Sequence, residues 1–392
     1  MDSTLILNPP LNLKTDTENT PLIFDPALLE KQENLPTQFK WPNEELACKS
    51  QQELVDPPVD LKGFFNGDEQ ATILAAEQIR TACLKHGFFQ IINHGVDDSV
   101  IRAAHENMDV FFKLPLSKKV AIKRKPGGLC GYSGAHADRF SSKLPWKETL
   151  SISYRHADES AVDVVEYIKC VLGEEFEEAG YVYQKYCEAM KNLSQAIFEL
   201  LAISLAGVDR YHYCKFFEDS VSMMRMNNYP PCKEDGLTLG TGPHTDPNSL
   251  TILHQDQVGG LEIFSDDKWQ AIRPRHDAFV VNIADTFMQV LFGLETGDPT
   301  YSEYFGHFMT IDVNMAVVNK ESVRRSLVFF VNPKEDKVVR PPQDLMRRQE
   351  PRLYPDFTWS DLQEFTQNQY RADTATIQNF VHWLSSQKKT QP

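Results

Sequence analysis

The stretch GTGPHTDPNSLTILHQDQVGGLEIF, residues 240–264, decides how this chain is read. Its second half consists of short apolar and β-branched runs, SLTILHQ and GLEIF, cut by Asp, Asn and Gly. That is the pattern of short strands separated by turns. Its first half places His244 and Asp246 two positions apart. At the start of a strand both side chains point to one face, because strand residues i and i+2 share a side. One imidazole and one carboxylate then aim at a common point, as two parts of the facial triad that holds non-haem Fe(II). A bare H-x-D pair is weak evidence, and a surface His beside a turn aspartate is its ordinary explanation. A second His, returned from far downstream, decides between the two.

Outward from this stretch the strand pattern continues in SMMRMNNY, KWQAIRP, AFVVNIA, AVVN and RSLVFFV. GLEIFSDDKWQAI reads as a hairpin turning at Asp266 and Asp267. Short strands at this spacing predict a sandwich or jelly roll. Upstream the period becomes helical over 69–86, closed by Gly87, over 97–113, opened by Asp97, and over 181–205. FFQIINHG reads as a buried strand, VDLKGFF as a short one, and 126–145 as a loop. Residues 1–55 form a Pro-rich arm with a short helix over 26–31. Two helices, 360–371 and 373–386, close the chain. The expected units are the arm, a helix-rich region over 56–217, a jelly-roll domain over 218–335 and C-terminal helices over 336–392.

With 392 residues, 41% hydrophobic and 24% charged, the chain can bury a large core. A formal charge of −15 argues against a general nucleic-acid or anionic-membrane binder, since both need a basic surface. Seven scattered cysteines contain no C-x-x-C and form no disulfide framework, which fits a reducing compartment. No signal peptide or membrane-spanning run is present, so a cytoplasmic monomer is expected.

NNYPPC (227–232), GTGPHTDP (240–247), QVGGLEIF, VVNIADTFM and RRSLVFF follow one another in the order found in plant 2-oxoglutarate- and Fe(II)-dependent dioxygenases, and HGFFQIINHGV resembles that family's N-terminal region. LPWKET (144–149) with LTILHQDQVGG resembles the gibberellin 20-oxidase branch. The likeness covers nearly the whole chain after about residue 20, apart from 289–315. It implies a mixed α+β fold, with a double-stranded β-helix (jelly-roll) core, a helix-rich N-terminal region and C-terminal helices. It also implies oxidation of carbon-20 of a gibberellin precursor with dioxygen and 2-oxoglutarate, which leaves as succinate and carbon dioxide, with ascorbate as a stimulant. His244 and Asp246 then hold Fe(II). Arg324 and Ser326, two apart on a strand, grip the far carboxylate of 2-oxoglutarate, with Asn227 and Tyr229 adding polar contacts. For the substrate, a rigid apolar acid, Arg139, Lys143 and Lys147 offer cations and Leu144 and Trp146 apolar wall.

One departure stands out. In the family the distal iron ligand is a His ten residues before the R-x-S arginine, and ten residues before Arg324 stands Asn314. The preceding block, 289–315, is longer than the family connection and unlike it. A retained intron or misplaced exon junction produces a bounded block of this kind, and transcripts encoding it in frame would exclude that origin. Asn314 can coordinate only through a neutral amide oxygen, a poorer Fe(II) ligand than imidazole. His307 is the alternative donor, seven residues upstream. The literal sequence therefore predicts a folded, iron-poor protein that still binds small molecules. The rival readings are a non-catalytic ligand-binding protein and a plant dioxygenase acting on a flavonoid or related molecule.

Overall fold

The computed structural model describes residues 24–29, 34–43, 45–46, 52–137, 142–155, 163–205, 207–287, 313–343, 354–369 and 375–389. Its strands are β1 (Val59–Asp60), β2 (Phe88–Ile92), β3 (Gly131–Gly134), β4 (Glu148–Arg155), β5 (Val221–Tyr229), β6 (Leu239–His244) and β7 (Leu250–Gln255). They continue with β8 (Leu261–Ser265), β9 (Lys268–Ala271), β10 (Ala278–Ile283), β11 (Asn314–Val317), β12 (Arg324–Asn332), β13 (Val338–Val339) and β14 (Phe357–Thr358). An eight-stranded sheet runs β1-β2-β10-β7-β12-β5-β4-β3, and a four-stranded sheet runs β6-β11-β8-β9. Every pairing in them is antiparallel except β1 with β2. The two sheets form the jelly-roll core, with helices on the back of the larger one.

Strand alternation sorts the large sheet into a dry face and a wet face. Met224 and Met226 on β5, Leu250 and Ile252 on β7, and Leu327, Phe329 and Val331 on β12 are all fully buried in the main hydrophobic core. The long helix Glu177–Ile203 covers them with Tyr183, Tyr186, Cys187, Met190, Ile197 and Phe198. The intervening residues, including Arg225, Asn227, Thr251, Arg324 and Phe330, face a cavity instead. Period two thus gives each strand one side for stability and one for chemistry.

The hairpin reads as expected: Asp266 and Asp267 carry φ values of 54° and 58° between β8 and β9, the doubly left-handed turn that suits twisted strands. Asp97 caps the helix Asp98–Phe112 by accepting from the Ser99 N–H at 2.7 Å. Other expectations need correction. VDLKGFF is a strand only over Val59–Asp60, and Lys62–Phe65 turn helical where Asp60 accepts the Lys62 N–H. The loop over 126–145 contains β3, paired with β4. β4, ETLSISYR, was concealed because its polar residues are buried: Glu148 meets Lys119 in a buried ion pair at 2.7 Å. The last turn before 370 is a π-helix, Phe365–Gln369.

Three histidines gather where the helix Asp98–Phe112 crosses the large sheet. The His105 and His254 rings share a hydrogen bond at 2.8 Å, and His94 and His254 both pack edge-on against Phe279. Burial holds these imidazoles neutral, pushing His94 down to about 4 and His105 to about 3; the neighbouring His254 adds to both shifts. The unfolded chain takes up protons near pH 6.5 that the folded chain refuses. Stability is therefore fully present above pH 6.5 and falls as pH drops toward 4. His94 and His105 each contribute a slope of about 1.4 kcal/mol per pH unit. In urea titrations at pH 6 and pH 5, His105→Gln should lose about that much less stability over the interval than the unmodified protein. An equal loss in the two proteins would contradict this assignment.

Candidate active site

His244 is the last residue of β6, and Asp246 lies in the turn beyond it, so the pair ends a strand rather than beginning one. The turn nevertheless brings His244 Nε2 within 3.5 Å of Asp246 Oδ1. His244 Nδ1–H donates to the Gly242 carbonyl at 2.8 Å, which turns Nε2 toward the carboxylate. Asp246 Oδ2 accepts from Thr251 Oγ1 at 2.8 Å and from Asn282 Nδ2 at 2.9 Å. Burial pushes this carboxyl up, but the bonds from His244, Thr251 and Asn282 outweigh it and hold the group below the usual carboxylate range. An imidazole nitrogen and a carboxylate, both held in place, face one another and would hold a cation between them. Thr251 and Asn282 orient the carboxylate as outer partners of metal ligands do, and sequence reading missed both. Their only signal was a polar residue on the inner face of an apolar strand.

Asn314 stands directly across from His244 in the β6–β11 register, in the same cavity. The register places a third side chain beside the pair, and that side chain is a carboxamide. Its Nδ2 is buried without a hydrogen-bond partner among the described residues. Among the described residues no group of three or more His, Cys, Asp and Glu converges as a metal site. His307 lies outside the described residues. The donor set therefore fits Fe(II) at two positions and not at the third.

The four residues expected to hold the co-substrate come together. Arg324 and Ser326 share one face of β12, opposite Tyr229 and Asn227 of β5. Asn227 Nδ2 donates to Ser326 Oγ at 3.1 Å, and the Arg324 guanidinium lies 5.0 Å from the centre of the Tyr229 ring. Arg324 is 1% exposed, and its direct partners are neutral: that ring and Gln255 Oε1 at 3.0 Å. Arg324 Nε, Asn227 Oδ1 and Gln255 Nε2 are buried with no hydrogen-bond partner among the described residues. The nearby Asp256 carboxylate offsets this buried charge only electrostatically, without a direct bond to it, and burying an incompletely paired guanidinium is costly. A dicarboxylate end-on to Arg324 would recover that cost. Gly240 lets Tyr229 lie flat here, since a Cβ on it would come within 2.5 Å of the Tyr229 ring.

The expected substrate residues separate. Lys147 faces the cavity; its Nζ donates to Thr241 Oγ1 at 2.9 Å and sits 5.9 Å from the Tyr229 ring centre. Burial, with help from the charge of Arg225, pushes its ammonium down to about 7. Lys143 reaches the cavity but is ion-paired with Glu45. Leu144 and Trp146 do not line the cavity: they are buried in a satellite core with Phe24 and Phe39, the rings of Phe39 and Trp146 meeting edge-on at 5.1 Å. Two adjacent large apolar side chains were read as wall, but the local backbone turns both away. Arg139 lies outside the described residues. The cavity itself encloses about 760 Å³, within the range of small-molecule sites, and carries Arg225, Met223 and Phe330 at its far end.

The sequence profile of the N-terminal region of the non-haem dioxygenase in morphine synthesis matches residues 57–169, and that of the 2OG-Fe(II) oxygenase superfamily matches 220–333. Gibberellin 20 oxidase 2 of Arabidopsis thaliana is 48% identical over 376 residues, spanning 96% of this chain and 94% of that protein. Gibberellin 20 oxidase 1-B of Triticum aestivum is 46% identical, spanning 94% and 97%. The crystal structure of JOX2 in complex with 2OG, Fe and JA superposes with a TM-score of 0.75 at 27% identity, covering 92% of this chain and 98% of that one. The chain is thus a member of the 2OG-Fe(II) oxygenase superfamily, within its gibberellin 20-oxidase family.

Proposed function

We propose that this chain binds 2-oxoglutarate through Arg324, Ser326, Tyr229 and Asn227, and beside it a gibberellin precursor whose carboxylate is drawn to Lys147. The relatives' substrate class supports the second part, and so does the cavity: a buried cation with no salt-bridge partner among the described residues, set in a volume that suits a rigid polycycle. The family's chemistry is oxidation by dioxygen at an Fe(II)–2-oxoglutarate centre. The residues of this chain orient both organic molecules and exclude water from them. Turnover is limited by Asn314, and the chain accordingly acts as a ligand-binding protein of low oxidase activity. A non-catalytic role is favoured by that one substitution alone. We expect a cytoplasmic monomer; among the described residues no helix is long and apolar enough to cross a membrane.

The observation that carries the reading is the convergence of Lys147, His244, Asp246 and Arg324 on one cavity. Its test is calorimetric binding of a gibberellin precursor acid to the 2-oxoglutarate-loaded protein across pH. Lys147 is charged below about 7 and neutral above it. Affinity should weaken as pH rises from 7 to 9, by up to about 10-fold per unit, with proton uptake on binding. In Lys147→Met the affinity should be weak and flat over the same range. A pH-independent affinity shared by both proteins would remove Lys147 from the site.

A further inference from the structure

The Pro-rich arm reads in sequence as a segment outside the catalytic fold, yet it supplies a wall of the cavity. Residues 34–43, 45 and 46 lie between the turn that leads into β6 and the LPWK loop and are tied to both. The Trp41 N–H donates to the Leu237 carbonyl at 3.1 Å, and Leu144 N–H donates to the Gln38 carbonyl at 2.8 Å. Trp41 Nε1–H donates to the Leu144 carbonyl at 3.3 Å, and Glu45 pairs with Lys143. The indole is 8% exposed and packs with Leu239 of β6 and Met315 of β11. Its six-membered ring rests on Gly242, where a Cβ would come within 2.2 Å of it. That glycine precedes His244 by two residues, so the ring lies beside the catalytic pair and lines the same cavity.

We propose that Trp41 is a substrate-contacting specificity residue, the flat apolar surface against which a polycyclic acid packs while Lys147 holds its carboxylate. This rests on the substrate reading above. Three physical features support it. An indole offers a large rigid face with only two rotatable bonds, so little entropy is lost when a ligand packs on it. The Nε1–H bond to Leu144 fixes the ring plane and ties it to the loop carrying Lys147 three residues on. Gly242 has no side chain and so leaves the ring seated at the level of the reacting centre, where size discrimination acts on the part of the substrate to be oxidised.

The test measures two affinities by calorimetry on the full chain: one for 2-oxoglutarate and one, in its presence, for a gibberellin precursor acid. Trp41→Ala should weaken the acid by about 10- to 100-fold, the loss expected for one buried aromatic contact. It should leave 2-oxoglutarate within about 2-fold, because the direct partners of Arg324 and Ser326 shown by the structure are Gln255, Tyr229 and Asn227. Trp41→Phe, which keeps an apolar ring and guards against failure of the alanine variant to fold, should recover most of the loss. Equal acid affinities in the three proteins would overturn the assignment of Trp41 alone. Parallel loss of both ligands in Trp41→Ala would make Trp41 a structural prop and also overturn it. If the unmodified protein binds 2-oxoglutarate but no precursor acid, the substrate reading fails, and the inference with it.

Discussion

Replacing Asn314 by His is expected to tighten Fe(II) binding by about 100-fold or more and to raise turnover with it. The register is already in place: position 314 pairs with His244 across β6 and β11, faces the same cavity and leaves its amide nitrogen buried without a partner among the described residues. An imidazole there donates a lone pair that a carboxamide matches only weakly through its oxygen. Loss of a mere outer partner typically costs 10- to 100-fold in metal affinity, and exchange of a direct ligand should cost at least as much. Asn314 opens β11 and pairs with His244 of β6 and Ile263 of β8; the β6 register shifts only beyond it, and its neighbours Met315 and Ala316 are buried, so one side chain rather than a refolded segment should suffice. Anaerobic equilibrium titration with Fe(II) measures the first effect, and succinate release the second. Unchanged affinity in Asn314→His would show that the third donor comes from somewhere other than the β11 register.

Arg324→Leu should abolish 2-oxoglutarate binding at accessible concentrations, a loss of about 100- to 1,000-fold. A charge-assisted pair buried from water typically carries 2–5 kcal/mol in such truncations. The free protein should melt no lower than before, because the leucine relieves a buried charge whose direct partners are neutral. Arg324→Lys should not rescue binding: a point charge on a flexible stem cannot reproduce the fork, and it gives up the contact with the Tyr229 ring. Ser326→Ala should cost less, about 10-fold, since Ser326 Oγ already accepts from Asn227. Calorimetry with 2-oxoglutarate and thermal melting of the ligand-free variants check these together. Wild-type affinity in Arg324→Leu would mean that the dicarboxylate is held elsewhere.

How much of this was legible in the sequence depended on how locally each feature is encoded. The hairpin at Asp266 and Asp267, the Asp97 cap and the shared face of Arg324 and Ser326 follow from rules spanning a few residues, and all three stand in the fold as read. The opposition of Asn314 and His244 also came through, because a fixed count from Arg324 reaches position 314 along one chain direction. What stayed hidden was non-local. β4 looked unlike a strand because its buried side chains are polar and find partners, such as Lys119, that lie far away in sequence. Leu144 and Trp146 were read as wall on composition, whereas their burial with Phe24 and Phe39 is decided by how the arm packs. Trp41 carried no periodic signal at all; only the packing of the arm onto Gly242 brings it to the cavity.

The most direct test of the central claim, a dioxygenase scaffold with an intact co-substrate grip and an amide at its third metal position, is one anaerobic titration. Purified protein and Asn314→His are each loaded with 2-oxoglutarate and titrated with Fe(II) while the visible charge-transfer band of the chelated complex is followed. The expected result is a saturable band in Asn314→His and little or none in the unmodified chain at the same iron concentrations, with 2-oxoglutarate binding equally well to both metal-free proteins. A band of equal intensity and midpoint in the two proteins would contradict the account.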